Sequence, residues 1–148
     1  MSTSKVTSGT WVDAPPAVVF AIVSDPRQHS RIDGSGTVRG SVSGPDALVL
    51  GSEFGMDMKM GAPYKIKNKV VEFEQDRLIA WRHVGLHRWR YELAPSGTGT
   101  KVTETWDLRA YPSPVRAVMR TLFGKKTQAA VDQTMVKLKA AAEADARS

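Results

Sequence analysis

The last third of the chain has the pattern of one long amphipathic helix, and this feature most constrains the fold. Pro112-Ser113-Pro114 supplies an N-cap followed by a proline in the first helical turn. The pattern predicts a helix over residues 113–145, and an apolar stripe of that length needs a large apolar surface to lie on. The stripe consists of residues spaced three and four apart: Val115, Val118, Met119, Leu122, Phe123, Val131, Met135, Leu138 and Ala142.

The middle of the chain offers such a surface, because apolar and polar residues alternate there from Thr37 to Arg109. Strict alternation is typical of strands with one buried face. Short strands separated by turn sequences such as Ser96-Gly97-Thr98-Gly99 predict an antiparallel meander. A slip in the alternation at Val70-Val71 predicts a β-bulge.

The N-terminal part combines a strand with two short helices. Val6 to Asp13 alternates loosely and predicts a strand, and Ala17 to Ser24 follows two prolines as a short buried helix. Asp25-Pro26 ends this helix, and Pro26 to Ile32 forms a second one. Residues 1–4 are expected to be frayed. With 148 residues, the chain has the length of one domain, so we expect a single α+β domain over residues 1–148.

The element order resembles the SRPBCC superfamily, which holds birch-pollen-allergen-like, StAR-related lipid-transfer (START-like) and polyketide cyclase/dehydrase-like proteins. Local segments are similar too: Trp11 to Pro15, Asp25-Pro26, Arg77 to Arg82 and Gly99 to Glu104. The resemblance implies a helix-grip fold, in which a curved antiparallel sheet of about seven strands wraps around the long C-terminal helix. The chain departs from the family at Ile32, near a place where a tryptophan often stands.

In that superfamily the gap between helix and sheet is a ligand site. Strand alternation then assigns its wall, with methionines at one end and aromatic and polar side chains at the other. This asymmetry favours a ligand with an apolar body and one polar end. The predicted ligand-binding residues are Phe20, Phe54, Met56, Met58, Tyr64, Ile66, Trp81, His83, Trp89, Tyr91, Glu104, Trp106, Met119, Leu122 and Phe123.

The polar part of this wall depends on strand register. Pairing Leu93 with Val102 places Tyr91 opposite Glu104 and Trp89 opposite Trp106. A pairing of Trp89 with His83 would place Tyr91 opposite Trp81. Two interpretations of Glu104 remain open: it is satisfied by Tyr91, an indole N–H or a water inside a packed core, or it anchors a hydroxyl or carbonyl of a ligand.

Three function classes follow. The first is a module that carries, senses or sequesters a lipid or polyketide-like metabolite. The second is a polyketide cyclase or dehydratase-type enzyme, with His83, Tyr91 and Glu104 as candidate catalytic residues. The third is a co-chaperone-like interaction module, as in some members of the superfamily.

Charge and composition limit the partners. The net charge of +6 is spread along the chain, so we expect no nucleic-acid partner, while transient contact with an anionic membrane remains open. Histidines 29, 83 and 87 lack metal-ligand spacing, so we expect neither metal nor cofactor, with His29 at the surface and His87 solvated. The absence of cysteine fits a cytoplasmic protein, expected to be a monomer or weak dimer.

Overall fold

The computed structural model describes residues 5–35, 38–60, 62–82 and 86–148, without the side chains of residues 38–43, 56–60 and 62–66. The predicted frayed segment, residues 1–4, therefore lies outside the described residues, as does His83. Within them the order of elements is strand, short helices, six strands and a long helix. The elements are β1 (Lys5–Val12), α1 (Pro16–Val23), a 3-10 turn (Pro26–Gln28) continuing into α2 (His29–Ile32), β2 (Val38–Ser43), β3 (Glu53–Met60), β4 (Ala62–Glu74), β5 (Leu78–Arg82), β6 (Arg88–Ser96), β7 (Gly99–Asp107) and α3 (Ser113–Arg147).

The strands form one antiparallel sheet in the order β1-β7-β6-β5-β4-β3-β2. The first strand therefore pairs with the last, and α3 lies against β1, β7 and the short helices. The α+β helix-grip prediction is confirmed. The N-terminal helices follow from their prolines: Pro16 starts α1, and the Asp25 carboxylate caps the next turn by accepting from the N–H of Arg27 at 3.0 Å.

The register of β6 with β7 is the predicted one, with Tyr91 opposite Glu104 and Trp89 opposite Trp106. The predicted register of β5 with β6 is wrong by two residues, because Trp81 pairs with Trp89 and Ile79 pairs with Tyr91. A slip of two residues leaves every side chain on the same face of the sheet. Alternation therefore predicted correctly which side chains share a face, but it could not predict the register of β5 with β6.

The bulge predicted in β4 lies between Val70 and Glu72. Val70 is buried in the core, and Phe73 packs against the same core. Glu72 lies on the opposite face, where its carboxylate binds Arg90 at 2.6 Å. The extra residue lets β4 change phase without taking Phe73 out of the interior.

The predicted apolar stripe of α3 is wrong as one continuous face. Val131 and Leu138 are buried, whereas Val118 is 56% and Leu122 is 68% exposed. An α-helix turns by about 100° per residue, so Leu122 and Val131, nine positions apart, lie about 180° from each other. Val118 and Leu122 thus lie on the side of the helix away from Val131.

A network of ion pairs covers the outer face of the sheet. The guanidinium of Arg90 binds Glu72 at 2.6 Å and Asp107 at 2.8 Å, and Arg109 binds Asp107 at 2.6 Å. Burial alone would raise the pKa of Asp107, but the hydrogen bonds from Arg109 and Arg90 outweigh it and lower this pKa. We read the network as the polar cover of a sheet whose other face carries the core.

Candidate functional site

The interior contains two apolar clusters. The larger one joins the inner face of the sheet, through residues such as Ile79 and Tyr91, to α1 and the C-terminal half of α3. The smaller one is formed by Val6, Trp106, Leu108 and Val131, with Trp89, Tyr111 and Met119 packed against it. Glu104 stands between them on β7, opposite Tyr91 of the larger cluster and two residues before Trp106 of the smaller one.

Aromatic rings stack along the inner face of the sheet. The Trp81 ring lies 5.5 Å from Phe54 and 5.5 Å from Tyr91, measured between centroids. Trp89 stacks on Trp106 at 6.0 Å in the smaller cluster. These contacts explain why aromatic residues recur at alternate positions on neighbouring strands.

His29 belongs to this layer, so its predicted surface position is wrong. Its ring stacks on Trp81 at 4.8 Å, and its Nε2 lies 2.9 Å from the carbonyl oxygen of Val23. Burial lowers the pKa of His29, which favours a neutral ring that donates Nε2–H to this carbonyl. The short polar helix concealed this position because one turn of helix shows no periodicity.

Glu104 is a buried carboxyl in an apolar setting. It is 4% exposed, and the Tyr91 hydroxyl is its hydrogen-bond partner. Burial raises the pKa of Glu104 to about 8 against the partial opposition of that hydrogen bond, and the charge of Asp33 raises it further. At neutral pH the carboxyl is therefore mostly protonated.

Three buried polar atoms lack a hydrogen-bond partner among the described residues near this wall: Glu104 Oε1, Trp106 Nε1 and Asn68 Nδ2. The indole and amide nitrogens can only donate. Glu104 and Trp106 occupy consecutive inward positions of β7. The interior wall therefore presents hydrogen-bond donors that the described protein atoms do not use.

The predicted site residues fall into four groups. Phe20, Phe54, Trp81, Tyr91, Glu104 and Trp106 are buried, and Trp89 and Met119 are half-buried. Leu122 and Phe123 are 68% and 48% exposed, so the expectation that they line the interior is wrong. For Leu122 the reason is the helical phase given above. The side chains of Met56, Met58, Tyr64, Ile66 and His83 lie outside the described residues.

Sequence analysis did not predict a contact of Tyr111, a residue packed against the smaller cluster, with the segment before β6. The Tyr111 hydroxyl accepts the N–H of Leu86 at 2.9 Å and lies 2.9 Å from Nδ1 of His87. His87 also lies edge-on to Trp106 at 5.9 Å and is half-buried, so it is less solvated than predicted. The only sequence signal was a tyrosine just before the α3 N-cap, which is too weak to place it.

A groove of about 290 Å³ lies elsewhere, between the free edge of β1 and α3. Ser8, Gly9 and Thr10 form one wall, and Met135 and Val136 belong to the other. Side chains of α3 already bind the edge of the strand, since Gln128 donates to the Thr7 carbonyl and Lys139 to the Trp11 carbonyl. These contacts protect an edge strand, and the groove is separate from the interior wall.

The fold and its inner wall define a helix-grip protein of the SRPBCC superfamily. The sequence profile of the family described as "Polyketide cyclase / dehydrase and lipid transport" matches residues 3–143, and the chain belongs to this family. This is a family of hydrophobic ligand-binding folds. None of the helices in the described part of the chain is long and apolar enough to cross a membrane.

Relatives are similar in sequence or in fold. An uncharacterized protein of Mycobacterium tuberculosis is 42% identical over 139 residues, which are 90% of this chain and 62% of that protein. The chain thus spans less than two thirds of the curated relatives it matches. A crystal structure from Nitrosomonas europaea has a TM-score of 0.73 at 14% identity, covering 100% of this chain and 99% of that one. The Aha1 dimer from Colwellia psychrerythraea has a TM-score of 0.68 at 16% identity, covering 94% and 96%.

Proposed function

We propose that the chain binds a small hydrophobic molecule with one hydrogen-bond-accepting end and carries, senses or sequesters it. The ligand, a lipid or polyketide-like metabolite, would place its polar end against Glu104 and Trp106. Its apolar body would lie against Trp89 and Met119, two of the half-buried residues packed against the smaller cluster. Membership in a lipid-transport and polyketide family supports this class of ligand.

The observation that carries the proposal is the pair of unused polar atoms, Glu104 Oε1 and Trp106 Nε1. Leaving a buried polar group without a partner costs about 1–3 kcal/mol, and native interiors contain few such groups. A hydrogen bond to a ligand oxygen would recover this free energy. Glu104 and Trp106 occupy consecutive inward positions of β7.

The chemistry of these atoms favours a neutral acceptor. The indole N–H can only donate, and a protonated Glu104 can donate as well. The charge of Asp33 acts on Glu104 strongly enough to raise its pKa, so the same field disfavours an anionic ligand. A ketone, ester or quinone carbonyl fits this environment better than a carboxylate or an ammonium group.

A pair of naphthalene probes tests this: Prodan, which carries a ketone, and an analogue with a propyl chain in place of the propionyl group. We expect tighter binding of the ketone, and an affinity that decreases as the pH rises through about 8. Glu104→Leu or Trp106→Phe should weaken ketone binding about tenfold, which corresponds to one lost hydrogen bond. Calorimetry at fixed pH measures both probes.

Trp11→Phe is the matched control, since it also removes an indole N–H, here one that donates to the Ser96 carbonyl outside the interior. It should leave both affinities unchanged. Equal affinity for the two probes, or an equal loss of both in Glu104→Leu, would contradict a donor site at Glu104.

A polyketide cyclase or dehydratase-type reaction is the second candidate, favoured by the pKa of Glu104. General acids work best when their pKa lies near the operating pH, and Glu104 has a pKa of about 8 beside the Tyr91 hydroxyl. Dehydration of a β-hydroxy thioester by the wild type should then follow a pH profile with an apparent pKa near 8. A Glu104→Gln variant with the same rate and profile would rule out this role.

A further inference from the structure

We propose that the N-terminal half of α3 docks on an anionic membrane surface. The contact surface, which we call the α3 ridge, consists of Val115, Val118, Leu122 and Phe123. This inference goes beyond ligand binding in the interior, and either property can be lost without the other.

The α3 ridge is apolar and open to solvent. Its members are 41%, 56%, 68% and 48% exposed in chain order, and Leu86 beside the start of α3 is 42% exposed. Single exposed apolar residues are common on protein surfaces. Four of them within three turns of one helix form a contiguous patch, which is the kind of surface that marks an interaction site.

Most of the ridge lies on the side of α3 that faces away from the core. Leu122 and the buried Val131 differ by about 180° around the helix axis. Val136, farther along α3, is also exposed at 60%, but its neighbours Asp132 and Lys137 are charged. The apolar character of the outward side is therefore concentrated in the N-terminal half.

The charged residues of the sequence that contains the ridge all have one sign. Between Asp107 and Asp132 the sequence contains no acidic residue, and it contains five basic ones: Arg109, Arg116, Arg120, Lys125 and Lys126. Lys125 and Lys126 are exposed and have no ion-pair partner among the described residues. They follow Phe123 after Gly124, so they extend the apolar surface with two cationic groups.

This combination selects anionic lipid as the occupant. A helix face with apolar side chains and flanking Lys or Arg lies favourably at the headgroup boundary of a membrane, where each basic residue adds attraction to anionic lipid. A second copy of the chain would bring two surfaces of equal positive charge together, which is unfavourable. Charge complementarity therefore favours lipid over self-association.

Flotation with phosphatidylcholine vesicles, with and without about 30% phosphatidylglycerol, tests the proposal. We expect the wild type to bind only the anionic vesicles and to dissociate at high salt. Leu122→Ser combined with Phe123→Ser, and separately Lys125→Glu combined with Lys126→Glu, should each reduce the bound fraction at least about tenfold. Circular dichroism verifies that each variant remains folded.

Two matched controls separate the ridge from general effects. Val136→Ser replaces an equally exposed apolar residue of the same helix, and Lys5→Glu with Lys101→Glu makes the same charge change on the sheet. Both should bind like the wild type, apart from a small uniform effect of net charge. The proposal fails if the wild type does not float, or if the ridge variants float as it does. It also fails if size-exclusion chromatography shows a dimer that Leu122→Ser dissolves while vesicle binding stays absent.

Discussion

Glu104 is a carboxyl that the fold keeps protonated near neutral pH. Its pKa is raised from 4.5 to about 8, first by burial, and Tyr91 stabilises the charged form only in part. A carboxylic acid in this state can donate a hydrogen bond, and that distinguishes it from the ionised carboxylates on the outer face of the sheet. Sequence alone left open whether Glu104 was satisfied or available, and the structure shows both: one partner and one unused oxygen.

Glu104→Gln should change how stability depends on pH. The folded chain holds a proton on Glu104 that the unfolded chain loses above about 4.5, so this residue's contribution is fully present below 4.5 and is lost as the pH rises through about 8. Glutamine keeps a hydrogen-bonding side chain and does not titrate. The variant should therefore gain stability relative to the wild type from pH 4.5 to 8, by a few kcal/mol in total.

Urea unfolding at several pH values measures this difference. Glu92→Gln is the control, because Glu92 is exposed on the outer side of β6, and its difference from the wild type should stay flat over the same range. A pH-independent difference between wild type and Glu104→Gln would mean that Glu104 is ionised in the folded chain.

Two glycines, one beside α3 and one within it, show where the helix packs too closely for a methyl group and where there is room for one. Gly34, which follows α2, donates its N–H to Thr134 Oγ1 at 2.9 Å, and a Cβ added there would collide with the α3 backbone at Ala130 and Thr134. A Cβ at Gly124 would meet only the flexible side chain of Arg120, at 3.6 Å. The helix approaches the chain so closely at Gly34 that only glycine fits.

Gly34→Ala and Gly124→Ala should therefore have opposite effects. We expect Gly34→Ala to destabilise the fold by about 2–3 kcal/mol through overpacking. Gly124→Ala should stabilise it by about 0.5–1 kcal/mol, because alanine loses less backbone entropy in a helix. Thermal unfolding of both variants provides the comparison, and a neutral Gly34→Ala would show that α2 and α3 are packed less tightly than the distances indicate.

On the scale of the whole molecule, two buried groups change the stability of the fold with pH in opposite directions. Burial lowers the pKa of His29. Its contribution to the stability of the fold is therefore fully present above about pH 6.5 and is lost as the pH falls. Glu104 acts in the other direction between about 4.5 and 8. Asp107, with a lowered pKa, adds a further loss below about 3.8.

The wild type should accordingly lose stability as the pH rises from about 6.5 to 8, where Glu104 titrates without opposition, while just below 6.5 the slopes of His29 and Glu104 oppose each other. Urea midpoints from mildly acidic to mildly alkaline pH trace this curve. His29→Gln preserves a donor to the Val23 carbonyl without titrating, so it should remove the His29 part of the acid decline. A stability difference between His29→Gln and the wild type that does not change as the pH falls below about 6.5 would contradict a neutral buried His29.

Much of the fold was predictable because the sequence contains both the alternation typical of strands and the spacing of three and four typical of helices. Alternation from Thr37 to Arg109 predicted the strands and the inward face that carries Tyr91, Glu104 and Trp106. Prolines predicted where α1 and α3 begin, whereas the predicted N-cap of α3 is wrong, since Pro112 holds that position and makes no side-chain hydrogen bond. The β6–β7 register was also predictable, because the four-residue turn from Ser96 to Gly99 leaves little freedom to the hairpin.

The remaining features depend on contacts between distant parts of the chain. The register of Trp81 with Trp89 could not be derived, since a slip of two residues keeps the same faces. The burial of His29 depends on Trp81, which follows it by more than fifty residues. The unused atoms of Glu104 and Trp106 became visible only when all neighbouring groups were in place.

The long helix that first constrained the fold shows the division most clearly. Its length and its start at Ser113 follow from the sequence alone, because a proline in the first turn and helical spacing act locally. Which side faces the core at each end was decided by the tertiary structure. Spacings of three and four are satisfied equally well by two stripes half a turn apart, and only packing against β1, α1 and α2 selects the C-terminal stripe for burial and leaves the α3 ridge exposed.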